Sequence, residues 1–323
     1  MLDRYGRVIN YLRISVTDRC NLRCCYCMPE GVQDVGMKNI LTFEEIWEIV
    51  RTGVSLGITH IRITGGEPLV RKGCVDLIRG IREIPRVETI TMTTNGVLLG
   101  NYGKQLKEAG VDGVNISLDT LDPEEFYKIT GKRELQEVLA GIRAAKAAGL
   151  PVKLNAVNRK ELDPIPLVRY AQEENLPLRF IEMMPVGYGK KYVGRSNEEL
   201  RETLEAVCGK AECMTNREEL SRLGSGPAVY YQFSDLKVPV GFISAIHGKF
   251  CDTCNRVRLT AEGYLKLCLC YDEGEDLRRV LREGEKENLR TIMEQTIFRK
   301  PAAHCFEHPD EMTETHEMVK IGG

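Results

Sequence analysis

Three cysteines near the N-terminus have the spacing of a metal-binding loop. Cys20, Cys24 and Cys27 form a Cys-x3-Cys-x2-Cys pattern within eight residues. Thiolates so close in sequence can converge on one soft-metal centre, because a single loop can wrap it with sulfur donors. A closed zinc site or an electron-transfer [4Fe-4S] cluster takes four protein ligands, so a set of three leaves one metal position open for chemistry. A zinc knuckle or a chance cluster is the alternative. Cys25 cannot easily point the same way as Cys24, and we interpret it as a bystander.

A second cysteine triplet lies in the C-terminal part of the chain. Cys251 and Cys254 are separated by two residues, and Cys268 follows after a gap of thirteen. This set again offers three thiolates. Cys270 could complete a four-cysteine zinc site. Against that alternative, Cys268 and Cys270 lie two apart on a predicted strand and would both face a metal only in a local bend.

The segment Gly65-Gly66-Glu67-Pro68 follows a predicted strand and has the composition of a ligand-binding turn. Paired glycines expose backbone groups and allow a ligand to approach closely, while a glutamate offers an acceptor.

The elements that must position these residues are alternating strands and helices. The predicted strands are Tyr11–Thr17, His60–Thr64, Thr89–Thr93, Gly113–Leu118, Pro151–Val157 and Leu178–Met184. The predicted helices are Phe43–Leu56, Gly73–Ile84, Leu98–Ala109, Leu135–Ala148 and Pro164–Glu174. Strands joined by helices indicate parallel βα units. Six units are fewer than the eight of a closed barrel, so the α/β fold predicted is an incomplete (β/α)6, TIM-like barrel that is open laterally.

Polar or glycine-rich groups follow each predicted strand, at the end where barrels of this kind place their chemistry. The alternation is lost after residue 186, and new β-rich runs appear at Val229–Phe233 and Val240–Ala245. We therefore predict two domains, residues 1–225 and residues 226–323, with the second capping the open side of the barrel.

Composition narrows the classes of partner. The chain has 323 residues, and its 45 Lys and Arg against 47 Asp and Glu give no net charge that would favour nucleic acid or a membrane surface. Its N-terminus lacks the apolar core of a signal peptide, so a cytoplasmic location is expected. Twelve cysteines there favour metal binding and reduced thiols over disulfides.

The cysteine loop with Tyr26 before its last cysteine, together with Gly65-Gly66-Glu67-Pro68, resembles the radical S-adenosylmethionine (SAM) superfamily. The resemblance narrows to the GTP 3′,8-cyclase family on four further segments. They are Leu12-Arg13-Ile14-Ser15-Val16-Thr17-Asp18, Phe180-Ile181-Glu182-Met183-Met184-Pro185-Val186-Gly187, the Cys-x2-Cys-Asn-Arg-x-Arg-Leu segment that begins at Cys251, and the terminal Gly322-Gly323.

The resemblance implies the first step of molybdenum cofactor biosynthesis. A 5′-deoxyadenosyl radical takes hydrogen from C3′ of GTP, C3′ bonds to C8 of guanine, and 3′,8-cyclo-7,8-dihydro-GTP forms. It implies two [4Fe-4S] clusters, SAM and a reducing electron donor. Cyclic pyranopterin monophosphate synthase is the implied downstream partner. The implied oligomeric state is a monomer or a homodimer.

It also implies site residues. Cys20, Cys24 and Cys27 hold the first cluster, and Cys251, Cys254 and Cys268 hold the second, whose open iron contacts guanine. Tyr26, Gly66, Ser117 and Met184 line the SAM site. Arg13, Arg62, Thr93, Lys153, Arg256 and Arg258 bind GTP, and the Gly322-Gly323 tail reaches the active site, where its carboxylate orders Arg13 as the catalytic residue.

Two alternatives differ from this interpretation. One is another radical SAM enzyme with an auxiliary cluster, such as a peptide-modifying maturase; these enzymes usually carry more C-terminal cysteines. The other is a zinc-stabilised binding module without catalysis.

Overall fold

One mixed sheet runs through the molecule. The structure is a computed structural model that describes residues 1–32, 35–192, 194–224, 226–284 and 286–322. In those ranges twelve strands are joined in the order β12-β11-β10-β1-β2-β3-β4-β5-β6-β9-β8-β7. None of the helices in the same ranges is both long enough and apolar enough to cross a bilayer.

The first six strands confirm the predicted barrel. They are β1 (Tyr11–Ser15), β2 (His60–Thr64), β3 (Thr89–Thr94), β4 (Gly113–Ser117), β5 (Val152–Asn158) and β6 (Leu178–Glu182). Each pairs in parallel with the next. Because successive side chains alternate between the faces of a strand, apolar residues such as Ile14, Ile61 and Met92 pack outward in the main core while Arg13 and Arg62 take the opposite face.

Helices cover the outer face of the sheet. Those of the barrel are α1 (Phe43–Ser55), α2 (Cys74–Arg82), α3 (Leu99–Glu108), α4 (Pro123–Thr130), α5 (Leu135–Ala147) and α6 (Ile165–Glu173). Helix α1 begins at a capping box between Thr42 and Glu45, and it buries Ile46, Ile49 and Val50 against the strands. Full burial of such an aliphatic side chain contributes about 1.5–3 kcal/mol.

Helix α4 is absent from the sequence-based prediction. Its start is nevertheless encoded locally, because the Asp122 side chain accepts a hydrogen bond from the Glu125 N–H and Pro123 occupies the first turn. The helix is only eight residues long and lies directly before α5, so its periodicity was too short to distinguish from a loop.

The C-terminal part extends both edges of the barrel sheet. Its elements are α7 (Asn197–Cys208), β7 (Ala211–Cys213), α8 (Arg217–Arg222), β8 (Val229–Phe233), β9 (Val240–Ile243), β10 (Arg256–Leu259), β11 (Tyr264–Lys266), β12 (Gly274–Asp276), α9 (Leu277–Arg282) and α10 (Leu289–Phe298). Strand β9 pairs in parallel with β6, and β10 pairs in parallel with β1. The sheet stays open between these two additions. The division at residues 225 and 226 stays a prediction.

The structure corrects one local prediction near the second cysteine triplet. Strand β11 ends at Lys266, so Cys268 and Cys270 lie in the loop after it rather than on a strand. The alternation of faces that argued against joint ligation therefore does not apply, and the direction of each side chain must be taken from its contacts.

Candidate active site

A cavity of ≈ 380 Å³ lies inside the open barrel, with walls from both the barrel and the C-terminal part. All of the predicted site residues except Lys153 line it: Arg13, Cys20, Cys24, Tyr26, Cys27, Arg62, Gly66, Thr93, Ser117, Met184, Cys251, Cys254, Arg256, Arg258 and Cys268. The fold thus brings both cysteine triplets to one enclosed space, although they are far apart in the sequence.

Helix α4 supports the loop that carries the first cysteine triplet. The backbone carbonyls of Ile129 and Thr130 at its C-terminal end accept hydrogen bonds from the N–H groups of Cys25 (2.8 Å) and Arg23 (2.7 Å). Within the loop, the Cys27 N–H donates to the Cys24 carbonyl at 2.9 Å. The helix that the sequence analysis missed therefore helps to position this site.

The thiols of the first triplet lie close enough to affect each other. Burial, followed by the charge of Cys27, raises the pKa of Cys24 well above its usual range. Burial and then Cys20 raise the pKa of Cys27 to about 12. Neighbouring thiolates repel one another, so these groups stay protonated until a cation such as iron replaces their protons. The donor set therefore fits a cluster.

The glycine pair packs tightly against the segment that leads into the cysteine loop. The Gly66 N–H donates to the Thr17 carbonyl at 2.7 Å. A Cβ on Gly66 would lie 2.5 Å from the Arg19 carbonyl oxygen, and one on Gly65 would lie 2.6 Å from the Thr17 carbonyl oxygen. Only glycine permits this approach, so the motif fixes the start of the loop.

Glu67 is used inside the protein rather than offered to the cavity. Its carboxylate accepts hydrogen bonds from the Leu69 N–H (3.0 Å), the Asn95 N–H (2.7 Å) and the Thr94 hydroxyl (2.9 Å). Burial raises its pKa to about 7. The side chain ties the ends of β2 and β3 together beside the cavity.

Hydrogen bonds through Tyr26 and Asp119 connect the loop of the first triplet to strand β5. The Tyr26 hydroxyl donates to one Asp119 oxygen at 2.8 Å, and the other oxygen accepts the Val157 N–H at 2.8 Å. Burial, followed by the charge of Asp119, raises the pKa of Tyr26, so the phenol remains protonated.

Arg7 anchors the second triplet. Its guanidinium donates to the carbonyl oxygens of Cys251 (2.9 Å), Ala302 (2.7 Å) and Pro301 (2.6 Å), and it pairs with Asp3 at 2.6 Å. This buried side chain therefore holds the cysteine loop against the segment after α10. Its role was not predicted, since a single arginine near the N-terminus has no distinguishing pattern.

Cations surround the second triplet. Burial by itself would raise the pKa of Cys254, but Lys300 and Arg256 outweigh it and lower the pKa to about 7. The buried ammonium of Lys300 also donates to the Leu267 carbonyl next to Cys268. A neighbourhood that favours thiolate suits metal ligation.

Cys270 turns away from the triplet. It lies in a small apolar cluster with Val186, Cys305, Phe306 and Ile321, and its sulfur is 2.8 Å from that of Cys305. Cys270 is not among the cavity-lining residues, which supports Cys268 as the third ligand. Among the described residues, no group of three His, Cys, Asp or Glu side chains has the arrangement of a single-ion site.

Arginines from three adjacent strands form a cationic wall. Arg13 is in register with Arg62 on one side and with Arg258 on the other. Burial, followed by Arg258 and Arg62, lowers the pKa of Arg13 well below its usual range, and burial together with Arg256 lowers that of Arg258 to about 10. Such a concentration of buried positive charge favours a polyanion.

One predicted cationic residue does not line the cavity, and one that was not predicted does. Lys153 does not line the cavity; its ammonium donates to the Leu223 carbonyl at 2.6 Å. Burial, followed by the charges of Arg179 and Arg62, lowers the pKa of Lys153 to about 8. Lys153 therefore lies close enough to the cavity's arginines to interact with them. Arg179, which the sequence analysis missed, does line the cavity and donates to the side chains of Asn155 (2.9 Å) and Asn115 (2.5 Å).

The C-terminal tail reaches both parts of the site. The Val319 N–H hydrogen-bonds to the Cys27 thiol, and Lys320 pairs with Asp18 at 2.9 Å. Gly322, at φ +77°, accepts a hydrogen bond from Arg258 at 2.8 Å through its carbonyl. Gly323 lies outside the described residues, and so does the predicted contact of its carboxylate with Arg13.

Comparisons with known proteins show the family of the chain. Residues 14–164 match the family model of the radical SAM superfamily, and residues 176–306 match that of Molybdenum Cofactor Synthesis C. The chain is 43% identical over its full length to the whole of the GTP 3′,8-cyclase of Clostridium perfringens (strain 13 / Type A). It is 43% identical, again with both chains covered completely, to the GTP 3′,8-cyclase of Petrotoga mobilis. The chain belongs to the GTP 3′,8-cyclase family.

The fold of this family member is shared more widely. Streptococcus suis SuiB bound to S-adenosylmethionine aligns with 97% of this chain and 77% of its own, at a TM-score of 0.65 and 15% identity. This likeness concerns the fold alone. In this chain the radical SAM match ends after β5, whereas the match to Molybdenum Cofactor Synthesis C begins at residue 176 and so includes β6 as well as the C-terminal strands.

Proposed function

We propose that the protein is a radical SAM GTP 3′,8-cyclase, which converts GTP to (8S)-3′,8-cyclo-7,8-dihydro-GTP in the first step of molybdenum cofactor biosynthesis. The observation that carries the proposal is the single cavity bordered by two cysteine triplets and a wall of arginines, in a chain of this family. A zinc-stabilised binding module would leave the wall of buried arginines without a ligand.

The first triplet would hold a [4Fe-4S] cluster and SAM, and the second triplet would hold a second [4Fe-4S] cluster near the base of GTP. When bound, these groups supply the radical that removes hydrogen from C3′ and accept electrons from an external donor. Tyr26, Gly66, Ser117 and Met184 are proposed to contact SAM, because all four line the cavity on the side of the first triplet's loop and strand ends.

The protein's own residues bind and orient the substrate. Arg13, Arg62, Arg256 and Arg258 present guanidinium groups to the cavity, and guanidinium matches phosphate oxygens in pairs. Arg62 Nε and the Thr93 hydroxyl are buried and have no hydrogen-bond partner among the described residues. Oxygens of the triphosphate or ribose are suitable acceptors for both groups.

The C-terminal tail helps to exclude water from the cavity. The tail from Glu317 to Gly322 closes one side of the cavity through its contacts with Cys27, Asp18 and Arg258. A radical formed in such an enclosed space reacts with the nearest C–H bond rather than with solvent. Arg13 lies at the centre of the cationic wall, in register with Arg62 and Arg258, and for this reason we assign it a catalytic role.

The proposal extends to partners of the enzyme. The product is consumed by cyclic pyranopterin monophosphate synthase, a reducing protein or small molecule donates the electrons, and the enzyme acts as a monomer or homodimer. The test is anaerobic incubation of the iron-loaded protein with GTP, SAM and a strong reductant. Formation of 5′-deoxyadenosine together with a cyclised nucleotide is expected. Cleavage of SAM that does not depend on GTP and yields no cyclised nucleotide would instead support a different radical SAM enzyme.

A further inference from the structure

His304 is a buried residue with an unused hydrogen-bonding atom at the second cysteine triplet. Its side chain lines the cavity, and only 7% of the residue is exposed. Its Nε2 is buried and has no hydrogen-bond partner among the described residues. Buried polar atoms in native proteins are almost always satisfied, and a molecule bound in the cavity can supply the partner that this nitrogen needs.

The surroundings of His304 fix both its position and its tautomer. Its Nδ1 accepts a hydrogen bond from the Phe306 N–H at 3.4 Å, which leaves the hydrogen of the neutral ring on Nε2. The imidazole stacks on the Phe306 ring, with centroids 4.3 Å apart and planes at 25°. Its backbone N–H hydrogen-bonds to the Cys251 thiol, so the ring is fixed beside a predicted cluster ligand. His304 therefore presents an N–H donor.

The location of this donor distinguishes between the parts of GTP. The cationic wall of Arg13, Arg62 and Arg258 is suited to the phosphates, whereas a neutral imidazole with an aromatic neighbour is suited to a base. Guanine carries an acceptor oxygen at position 6, where adenine carries an amino donor. An N–H donor at this place binds the first and rejects the second, since two facing donors leave each other unsatisfied.

We propose that His304 is a specificity-determining residue whose Nε2–H donates a hydrogen bond to the 6-oxo group of the purine in the substrate. The inference deepens the proposed function and rests on it. A donor at this place would favour GTP over ATP, which offers the same triphosphate to the same arginines.

Nucleotide binding to the anaerobically reconstituted, SAM-loaded protein tests the assignment without turnover. The probes are GTP, inosine triphosphate (6-oxo group kept), 2,6-diaminopurine riboside triphosphate (6-oxo group replaced by an amino group) and ATP. The wild type is expected to bind the two 6-oxo nucleotides at least about tenfold more tightly than the two 6-amino nucleotides. Equal affinity of the wild type for GTP and the diaminopurine nucleotide overturns the assignment, even if no variant can be made.

Two variants and a control locate the preference at His304. His304→Phe keeps the ring and its stacking but lacks the donor, so its preference for 6-oxo over 6-amino nucleotides should disappear. His304→Gln places an amide N–H at similar reach and should retain most of the preference. His308→Phe, at an exposed position four residues further on, should bind all four nucleotides like the wild type. An unchanged preference in His304→Phe overturns the proposal.

A sulfide of the second cluster is the other possible acceptor, and the same samples distinguish it. If His304 donated to the cluster, His304→Phe would shift the reduction potential and the electron paramagnetic resonance signal of that cluster without nucleotide present, and base preference would be unchanged. That outcome overturns the assignment to the base. Failure of the wild type to bind any GTP would refute the proposed function itself, and is distinct from a loss of discrimination.

Discussion

At the level of single residues, the two cysteines that are adjacent in the first loop should behave differently. Cys24→Ala is expected to remove the first cluster and abolish 5′-deoxyadenosine formation, because a triplet that loses one thiolate cannot hold three irons. Cys25→Ala is the matched control; its thiol lies 3.4 Å from the Arg159 guanidinium and is not among the cavity-lining residues. Iron content and product are measured for both. Wild-type SAM cleavage by Cys24→Ala would show that the cluster is held elsewhere.

The second triplet can be tested in the same way, with Cys268 as the predicted ligand and Cys270 as the control. Cys268→Ser is expected to spare the first cluster but to lose the second cluster's iron and weaken GTP binding. Cys270→Ser should retain both, since the Cys270 sulfur contacts Cys305 in an apolar cluster instead of the cavity. Iron and sulfide analysis with nucleotide binding separates the two. Equal iron loss in both variants would point to a four-cysteine site.

Lys153 predicts a pH dependence. Burial and two neighbouring arginines lower its pKa to about 8, so its positive charge is lost as pH rises through that value. Although Lys153 does not line the cavity, the loss of its positive charge beside Arg62 and Arg179 should weaken triphosphate binding between pH 7 and 9 in the wild type. Lys153→Arg stays charged over this range and should show a flatter profile in equilibrium binding. Parallel profiles for both proteins would exclude Lys153 as the titrating group.

At the level of elements, strand β10 carries two of the proposed triphosphate ligands. Val257 and Leu259 are buried in the main core, and the alternation of a strand places Arg256 and Arg258 on the cavity side. Changing either arginine to Ala should weaken GTP binding by about 1.5–3 kcal/mol. Arg258→Ala should leave iron content unchanged, and iron is measured in Arg256→Ala as well because Arg256 also lowers the pKa of the Cys254 thiol. Arg133→Ala, which removes an exposed ion pair with Glu124 and a contact with the Tyr127 ring, is the control for a lost surface charge. Unaltered affinity in the double variant Arg256→Ala/Arg258→Ala would place the triphosphate elsewhere.

The elements also show what the sequence could and could not predict. The six barrel strands and five of their helices were predicted because each is a regular apolar pattern bounded by turn residues. The cysteine triplets were predicted because their ligands are close in sequence. Arg179, Lys300 and His304 were missed, since each is an isolated polar residue whose significance arises only when distant segments meet at the cavity. Helix α4 was missed because two turns of helix carry little periodicity.

At the level of the whole molecule, the tail is the segment that spans the site. Gly322 has a φ of +77°, a backbone conformation that residues with a side chain rarely adopt, so a substitution there is strained. Deletion of Gly322 and Gly323 should leave iron content and SAM binding near normal while cyclised product falls sharply, because Arg258 loses its carbonyl partner. Full turnover by the truncated enzyme would show that the tail is dispensable.

The pairing of β1 with β10 also determines when the molecule can close during synthesis. Arg7 donates to the Cys251 carbonyl across 244 positions of sequence, and the free edge of β1 has no partner until residues 256–259 leave the ribosome. Because chains fold as they emerge, a nascent half-barrel exists with the edges of β1 and β6 unpaired and its interior exposed on that side. The thiols of the first loop are then open to solvent, and docking of the last segments encloses them.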